Sequence, residues 1–483
     1  MAVLAAALLW PAGEAATGES SARSTRQAGF GDRDGDGVLE RRPGEPLVDR
    51  TDLAPASSIG RPLATLAQVT DAHVRDEESP ARAFFLDRLG EPFTSTFRPQ
   101  EALSAQTLAA AVGSVNRLRP DAVLETGDLA DNAQGNEMDQ ALAVLAGGEV
   151  RPDSGARGYD GPQSAGRADP FLYRPDLDAP RHPGLLDSAQ RPFRSPGLRA
   201  PWYPVVGNHD LLVQGEAAPS PKLRDLATGS RTLVEPKRDL RVPRDSRAFD
   251  PAVVDRVLAN GLPGRTSATP ADPARRLLSS AEALGRLRRS GHGEGGARMD
   301  YAFSAGRALR VIVLDIVNRA GGSKGVVSPG QLDWLRRELG RAGDRWVMVV
   351  SHQPLKSARG GAGVLAALDL DPRVVAAVSG HTHSNSIRPR RSQAGGYWLI
   401  GTASLTDYPQ QVRALRLVRT DGGVALETWM IDTAPSRLAD TARQLAFLDA
   451  QGGRPQGNGG TREDRNARLF KGLRAANPAR PRP

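Results

Sequence analysis

Tyr203-Pro204-Val205-Val206-Gly207-Asn208-His209-Asp210 runs from a short apolar stretch through a glycine into three consecutive polar residues. A brief apolar run closed by a turn residue reads as a buried strand. Polar residues at the carboxyl end of such a strand stand where open α/β sheets bind ligands. Four other stretches repeat the pattern. Leu63–Val69 leads into Asp71-Ala72-His73, and Ala122–Thr126 into Gly127-Asp128-Leu129-Ala130-Asp131-Asn132. Trp346–Val350 leads into Ser351-His352, and Val374–Val378 into Gly380-His381-Thr382-His383. The chain has seven histidines, and all but His182 and His292 fall in these clusters. Random placement would scatter them over the polar loops. His182 and His292 themselves read as loop residues.

Helices are expected between the strands, at Ala102–Leu118 (ending before Pro120), Met138–Leu145, Gln331–Arg341 and Pro435–Leu448. A further strand, Arg310–Leu314, precedes a hairpin-rich end at Trp398–Ile400, Gln411–Val418 and Val424–Ile431. This alternation indicates an α/β (α+β) sheet protein. Two long Pro- and Gly-rich excursions, about 147–200 and 211–298, interrupt it, with helical composition at Ala274–Arg289. Excursions of this length are usually lids or inserted subdomains. The expected organisation is an irregular N-terminal segment over 1–60, a main domain over 61–450 and a flexible basic tail over 451–483. Within the first segment, Asp32, Asp34, Asp36 and Gly37 imitate the start of a calcium loop. Pro43 stands where such a loop needs its bidentate glutamate, so the stretch reads as a Gly-rich turn with solvated carboxylates.

Composition narrows the function. Of 483 residues, 39% are hydrophobic and 25% charged, as in a globular protein. Net charge is +9, but Gln451–Pro483 alone carries +6. The remaining body is near balance, and no basic stripe accompanies the motifs, so nucleic acid is not the expected partner. Without cysteine, disulfide scaffolds, thiolate-bound zinc and thiol catalysis are excluded. No apolar run approaches the roughly 18 residues of a membrane-spanning helix. Ala2–Trp10, followed by Ala15 and Ala16, resembles a signal peptide that lacks a basic leader, and export is the expectation. Oligomeric state has no signature.

The donor types agree with one another. Asp, Asn and His offer the oxygen and imidazole nitrogen that suit iron, manganese, zinc and nickel. Asp-x-His and His-x-His put two donors on one side of an extended segment. A structural site closes after four ligands. At least seven donors converge here, enough for two ions roughly 3.5–4 Å apart that clamp an in-line displacement.

The ordered series Asp-x-His, Gly-Asp-x-x-Asp, Gly-Asn-His-Asp, His and Gly-His-x-His, over residues 71 to 383, resembles the calcineurin-like metallophosphoesterase superfamily. The resemblance implies two mixed β-sheets packed as a sandwich and flanked by helices, a four-layer fold with long irregular insertions. It implies two divalent or trivalent ions, with iron, manganese or zinc the natural choices. Asp71, His73 and His383 would hold one, Asn208, His352 and His381 the other, and Asp128 would bridge them. A hydroxide on the metal pair would attack phosphorus in line, His209 would assist the leaving group, and Asp131 would orient His209. Protein Ser/Thr phosphatases of this superfamily carry Arg where Asn132 stands, and purple acid phosphatases a ligating Tyr where Asp131 stands. The expected activity is therefore hydrolysis of a small phosphoric ester, with diester favoured. The alternatives are a phosphomonoesterase of the same fold or a catalytically silent metal-bearing scaffold. Substrate contacts are expected from the two excursions and from Tyr408-Pro409-Gln410-Gln411.

Overall fold

The computed structural model describes residues 23–472 apart from 91–92, 168, 170, 242–251 and 454–457. The signal-like run Ala2–Trp10 lies outside the described residues, as does the end of the chain beyond 472.

Two mixed sheets form the body. One has seven strands, in the order Val48–Arg50, Ala467–Gly472, Gly423–Asp432, Gln411–Thr420, Ile59–Val69, Ala122–Glu125, Trp202–Pro204. The other has six, in the order Tyr301–Ala305, Leu309–Leu314, Trp346–Ser351, Val374–Ser379, Tyr397–Gly401, Ser386–Arg390. Strands Ile59–Val69, Ala122–Glu125 and Trp202–Pro204 run parallel to one another. So do the four inner strands of the second sheet.

Strand alternation assigns each side chain to a layer. Val311, Val313, Met348 and Val350 join Leu66, Leu124 and Leu415 in the core between the sheets. Their neighbours Ile312, Leu314, Val347 and Val349 face outward onto Leu335, Leu339, Val364 and Leu368 of helices Pro329–Arg341 and Gly361–Asp369. Helix Ser104–Leu118 covers the other sheet, packing on strands Ile59–Val69, Gln411–Thr420 and Gly423–Asp432. Helix Pro329–Arg341 starts as its sequence dictates, with Ser328 and Gln331 forming a capping box and proline in the first turn. The result is helix, sheet, sheet, helix. Among the described residues no helix is long and apolar enough to cross a membrane.

Two expectations at the chain ends are corrected. Within the segment read as irregular, Ala28–Gly31 pairs with Glu40–Pro43, and Val48–Arg50 enters the large sheet. Between the first two strands the expected turn is present, with Asp32 accepting the Gly35 and Gly37 amides at 2.7 and 3.0 Å. At the other end, Ala467–Gly472 of the supposedly flexible tail pairs with Gly423–Thr428 and buries Leu469 and Phe470. Two arginines of this stretch are paired: Arg465 with Glu45, and Arg468 with Asp49 and Glu427. Charge dominated the reading of this stretch, yet the two apolar side chains are enough to seat it against an open sheet edge.

Candidate metal centre

Five parallel strands, three from one sheet and two from the other, end at the same rim, and the polar clusters follow directly. Asp71, His73 and His383 present ligand atoms within 4.8 Å of one another, and so do Asp128, His352 and His381. Asn208 Oδ1 is 3.1 Å from His352 Nε2, which places it with the second group. Asp128 Oδ2 lies 3.0 Å from His352 Nε2 and 3.8 Å from His73 Nε2, between the two groups. Residues far apart in sequence thus meet in one buried site.

The histidines are oriented through Nδ1. His352 Nδ1 donates to the Thr126 carbonyl at 2.8 Å, His73 Nδ1 lies 2.8 Å from Asp131 Oδ1, and His383 Nδ1 bonds Asp407 Oδ2. Each imidazole therefore turns its Nε2 lone pair inward. His73 Nε2 and His383 Nε2 face each other at 3.1 Å, and His352 Nε2 faces two oxygens. Facing ring nitrogens can share either a proton or a metal ion, and carboxylate and amide oxygens beside them add the further donors a metal ion needs. The donor set therefore fits two metal ions.

Backbone strain is concentrated here. Asp71, His73, Asp128, His381 and His383 all have left-handed φ, at 51°, 43°, 53°, 67° and 53°. Such conformations cost on the order of 1–3 kcal/mol each and persist only where the surroundings enforce them. The enforcement is visible. The Asp210 carboxylate accepts four amides, from Gly207, Asp128, Leu129 and Ala130, at 2.8–3.1 Å. Both Asp71 oxygens lie 3.1 Å from the His381 amide. A Cβ on Gly207 would stand 2.2 Å from the Asp128 amide nitrogen, and one on Gly380 2.1 Å from Thr70 Oγ1. These approaches admit only glycine.

Electrostatics follow from burial and partners. Burial disfavours ionisation of Asp128, but His352 and His209 overcome it and hold the carboxyl well below the usual range. Burial likewise opposes charge on His352 and His383. Asp128 nevertheless raises His352 to about 10, and Asp407 raises His383 to about 9. Burial wins at His73 and His381, lowered to about 4 and about 3. His209, a quarter-turn away across the His73 ring, is raised by Asp128 and Asp131 against its own burial.

Asp131 touches His209, the residue it was expected to orient, and His73 as well. Its carboxylate sits closest to His73 and is 3.5 Å from His209 Nδ1. His209 Nδ1 donates instead to the Asp131 carbonyl at 2.8 Å. The residue orients His209 through its main chain and His73 through its side chain. Asp407 and Asp210, which sequence reasoning passed over, hold His383 and the Asp128 loop. Asp210 could have been suspected from its place in Gly-Asn-His-Asp, whereas Asp407 lies in an unremarkable polar turn. Its neighbour Tyr408, expected at the substrate, packs on Phe447 instead. Asp315 stays outside the centre, paired with Arg319 and Arg298.

The centre opens on a cavity of about 990 Å³ lined by His73, Asp128, Asn208, His209, His381 and His383 and, from the second excursion, by residues that include Leu226, Val254 and Leu258. Among the described residues, none of the first excursion is in this lining.

The family model for calcineurin-like phosphoesterases matches residues 64–385. The chain belongs to this family. A phosphoesterase of this kind is a metal-dependent hydrolase, in keeping with the two ligand groups. Among solved structures the phosphoesterase is similar to a dimetal phosphatase from Danio rerio, at 14% identity and a TM-score of 0.39, over 77% of this chain and 97% of that one. It is also similar to a sulfate thiohydrolase from Thermus thermophilus, at 15% identity and a TM-score of 0.31, over 83% of this chain and 62% of that one. No curated protein matches it.

Proposed function

We propose that this phosphoesterase hydrolyses a phosphoric diester at the rim where the two ligand groups meet. The observation that carries the reading is the convergence of Asp71, His73 and His383 beside Asp128, His352 and His381 on one cavity. Asn208 completes the second group with a neutral oxygen, so the site retains positive charge for an anionic ester. Asp128, between the groups, fixes their separation and offsets cation repulsion. Manganese, iron or zinc would supply Lewis acidity and a water that ionises near neutral pH.

His209 lies outside the two ligand groups, although its ring also comes within 4.8 Å of ligand atoms of His73 and Asp131. With Nδ1 donating to the Asp131 carbonyl, its Nε2 is free to give a proton to the departing oxygen. Its raised proton affinity keeps that proton available near neutrality. Diester preference is supported by the arginines of the cavity. Of the three arginines lining it, Arg82 is held by Glu101 and Arg98 by Asp407, so only Arg241 is left to meet the second charge of a monoester.

The test compares wild type, His209→Ala and Asp128→Asn with manganese on bis- and mono-p-nitrophenyl phosphate. Expected are diester turnover by wild type, a roughly 10²–10⁴-fold fall in kcat for His209→Ala with manganese affinity kept, and loss of manganese affinity for Asp128→Asn. Faster cleavage of the monoester would reverse the diester assignment. A metal-loaded wild type inert on both esters would refute the hydrolytic role.

A further inference from the structure

The cavity is far larger than a phosphoryl group requires, and its lining joins two kinds of chemistry. At about 990 Å³ it reaches the top of the roughly 300–1,000 Å³ range of pockets that enclose drug-sized ligands. Besides the metal ligands, its lining includes an apolar wall to which Phe85, Leu86, Phe93, Leu226, Val254 and Leu258 contribute. None of these six side chains is buried, and none is fully exposed. Single half-exposed apolar residues are ordinary on a protein surface, but a group of them converging on one concavity marks a binding surface.

The wall is also backed. Leu226, Val254 and Leu258 pack against buried Val213, Leu223 and Ala227, while Phe85 rests on the cluster around Phe84 and Phe97. The half-exposed faces thus belong to ordered clusters. Two of the charged lining residues are satisfied by carboxylates, Arg82 by Glu101 and Arg98 by Asp407.

We infer that the substrate is a phosphoester carrying a large apolar group, which lies along this wall while its phosphate sits among the ligands. The inference rests on the hydrolytic reading above and adds the substrate class to it. Its occupant follows from continuity: the apolar wall and the ligand groups line one cavity, so a single molecule can reach both.

The experiment uses manganese-loaded protein and alkyl p-nitrophenyl phosphates from methyl to octyl, below their micellar concentrations. A parallel calorimetric titration uses alkylphosphonates of the same chain lengths, which bind without turnover. With about fourfold gained per buried methylene and half of the added carbons buried, the octyl-to-methyl ratio of kcat/KM should reach roughly 100-fold. Phosphonate affinity should climb alongside it. The double variant Leu226→Asn/Leu258→Asn should cut the ratio, measured within that protein, by about tenfold or more. Phe93→Asn tests the same wall at another position should the double variant fail to fold. Equal rates and equal phosphonate affinities along the series would overturn the apolar-substrate inference and leave hydrolysis standing. Affinity that climbs with chain length without turnover of any ester would support the apolar cavity and overturn the hydrolytic reading beneath it.

Discussion

Replacing Gly207 with alanine probes how tightly the backbone builds this centre. The new Cβ would lie 2.2 Å from both the amide nitrogen and Oδ1 of Asp128, and 2.9 Å from its Cγ. Neither neighbour can swing aside. The amide is backbone and lies 3.1 Å from Asp210 Oδ2, while Oδ1 accepts the His209 amide at 2.8 Å. Relief therefore requires the loop itself to move, by on the order of an ångström, at the carboxylate that stands between the two ligand groups. Overpacking of this kind costs about 1–3 kcal/mol of stability. Misplacement on that scale costs on the order of 100-fold in rate, equivalent to about 2.7 kcal/mol. Gly330→Ala is the control, since its Cβ would meet nothing within 4 Å in the first turn of helix Pro329–Arg341. It should gain up to about 1 kcal/mol. Urea unfolding, manganese titration and bis-p-nitrophenyl phosphate turnover would be measured on all three proteins. A Gly207→Ala protein that unfolds like the Gly330→Ala control and keeps wild-type metal affinity and rate would refute the argument.

Asp407→Asn should weaken manganese binding by roughly 10–100-fold, because His383 loses the anion that orients it and raises its basicity; unchanged affinity by calorimetry would contradict that role. Lys471 is buried against the Gly396 carbonyl, and burial lowers it from 10.5 to about 8. A lysine depressed in the fold is penalised in full below about pH 8, and the penalty vanishes as pH rises past about 10.5, where both states are neutral. Lys471→Met should therefore stabilise the protein by up to ~3 kcal/mol at pH 7 and by nothing from this source at pH 11; a gain independent of pH in denaturation experiments would show another cause. Chelating the metals should lower the unfolding midpoint, since ions that bind only the folded state stabilise it by mass action, and restored manganese should return it; a midpoint indifferent to chelator would argue against a resident pair.

The centre was readable because each of its parts is local. An apolar run that ends in Asp-x-His or Gly-Asn-His-Asp announces both a strand and the residues at its tip, and parallel strands brought five such tips to one rim. Asp407 carried no such label. Its partner His383 is 24 residues away, and only the fold joins them. The division of labour in Asp131 was equally hidden, since a sequence does not say whether a residue acts through its carboxylate or its carbonyl. Val48–Arg50 was missed for a related reason: Val-Asp-Arg has no pattern of its own and becomes a strand by pairing with Ala467–Leu469. The second excursion announced itself as long and irregular, but its inward apolar wall depends on packing across two helices and a loop.

The left-handed turns at Asp71, His73, Asp128, His381 and His383 give the site a signature that would outlast its chemistry. In a descendant relieved of catalysis, glycine or asparagine at these five positions would ease the main chain without redrawing it. Drift should favour those two residues over others, and the loss of function would be rewarded with a sturdier fold. A silent relative would then keep the same bends with nothing left to grip, and the bends alone would tell what the scaffold once held.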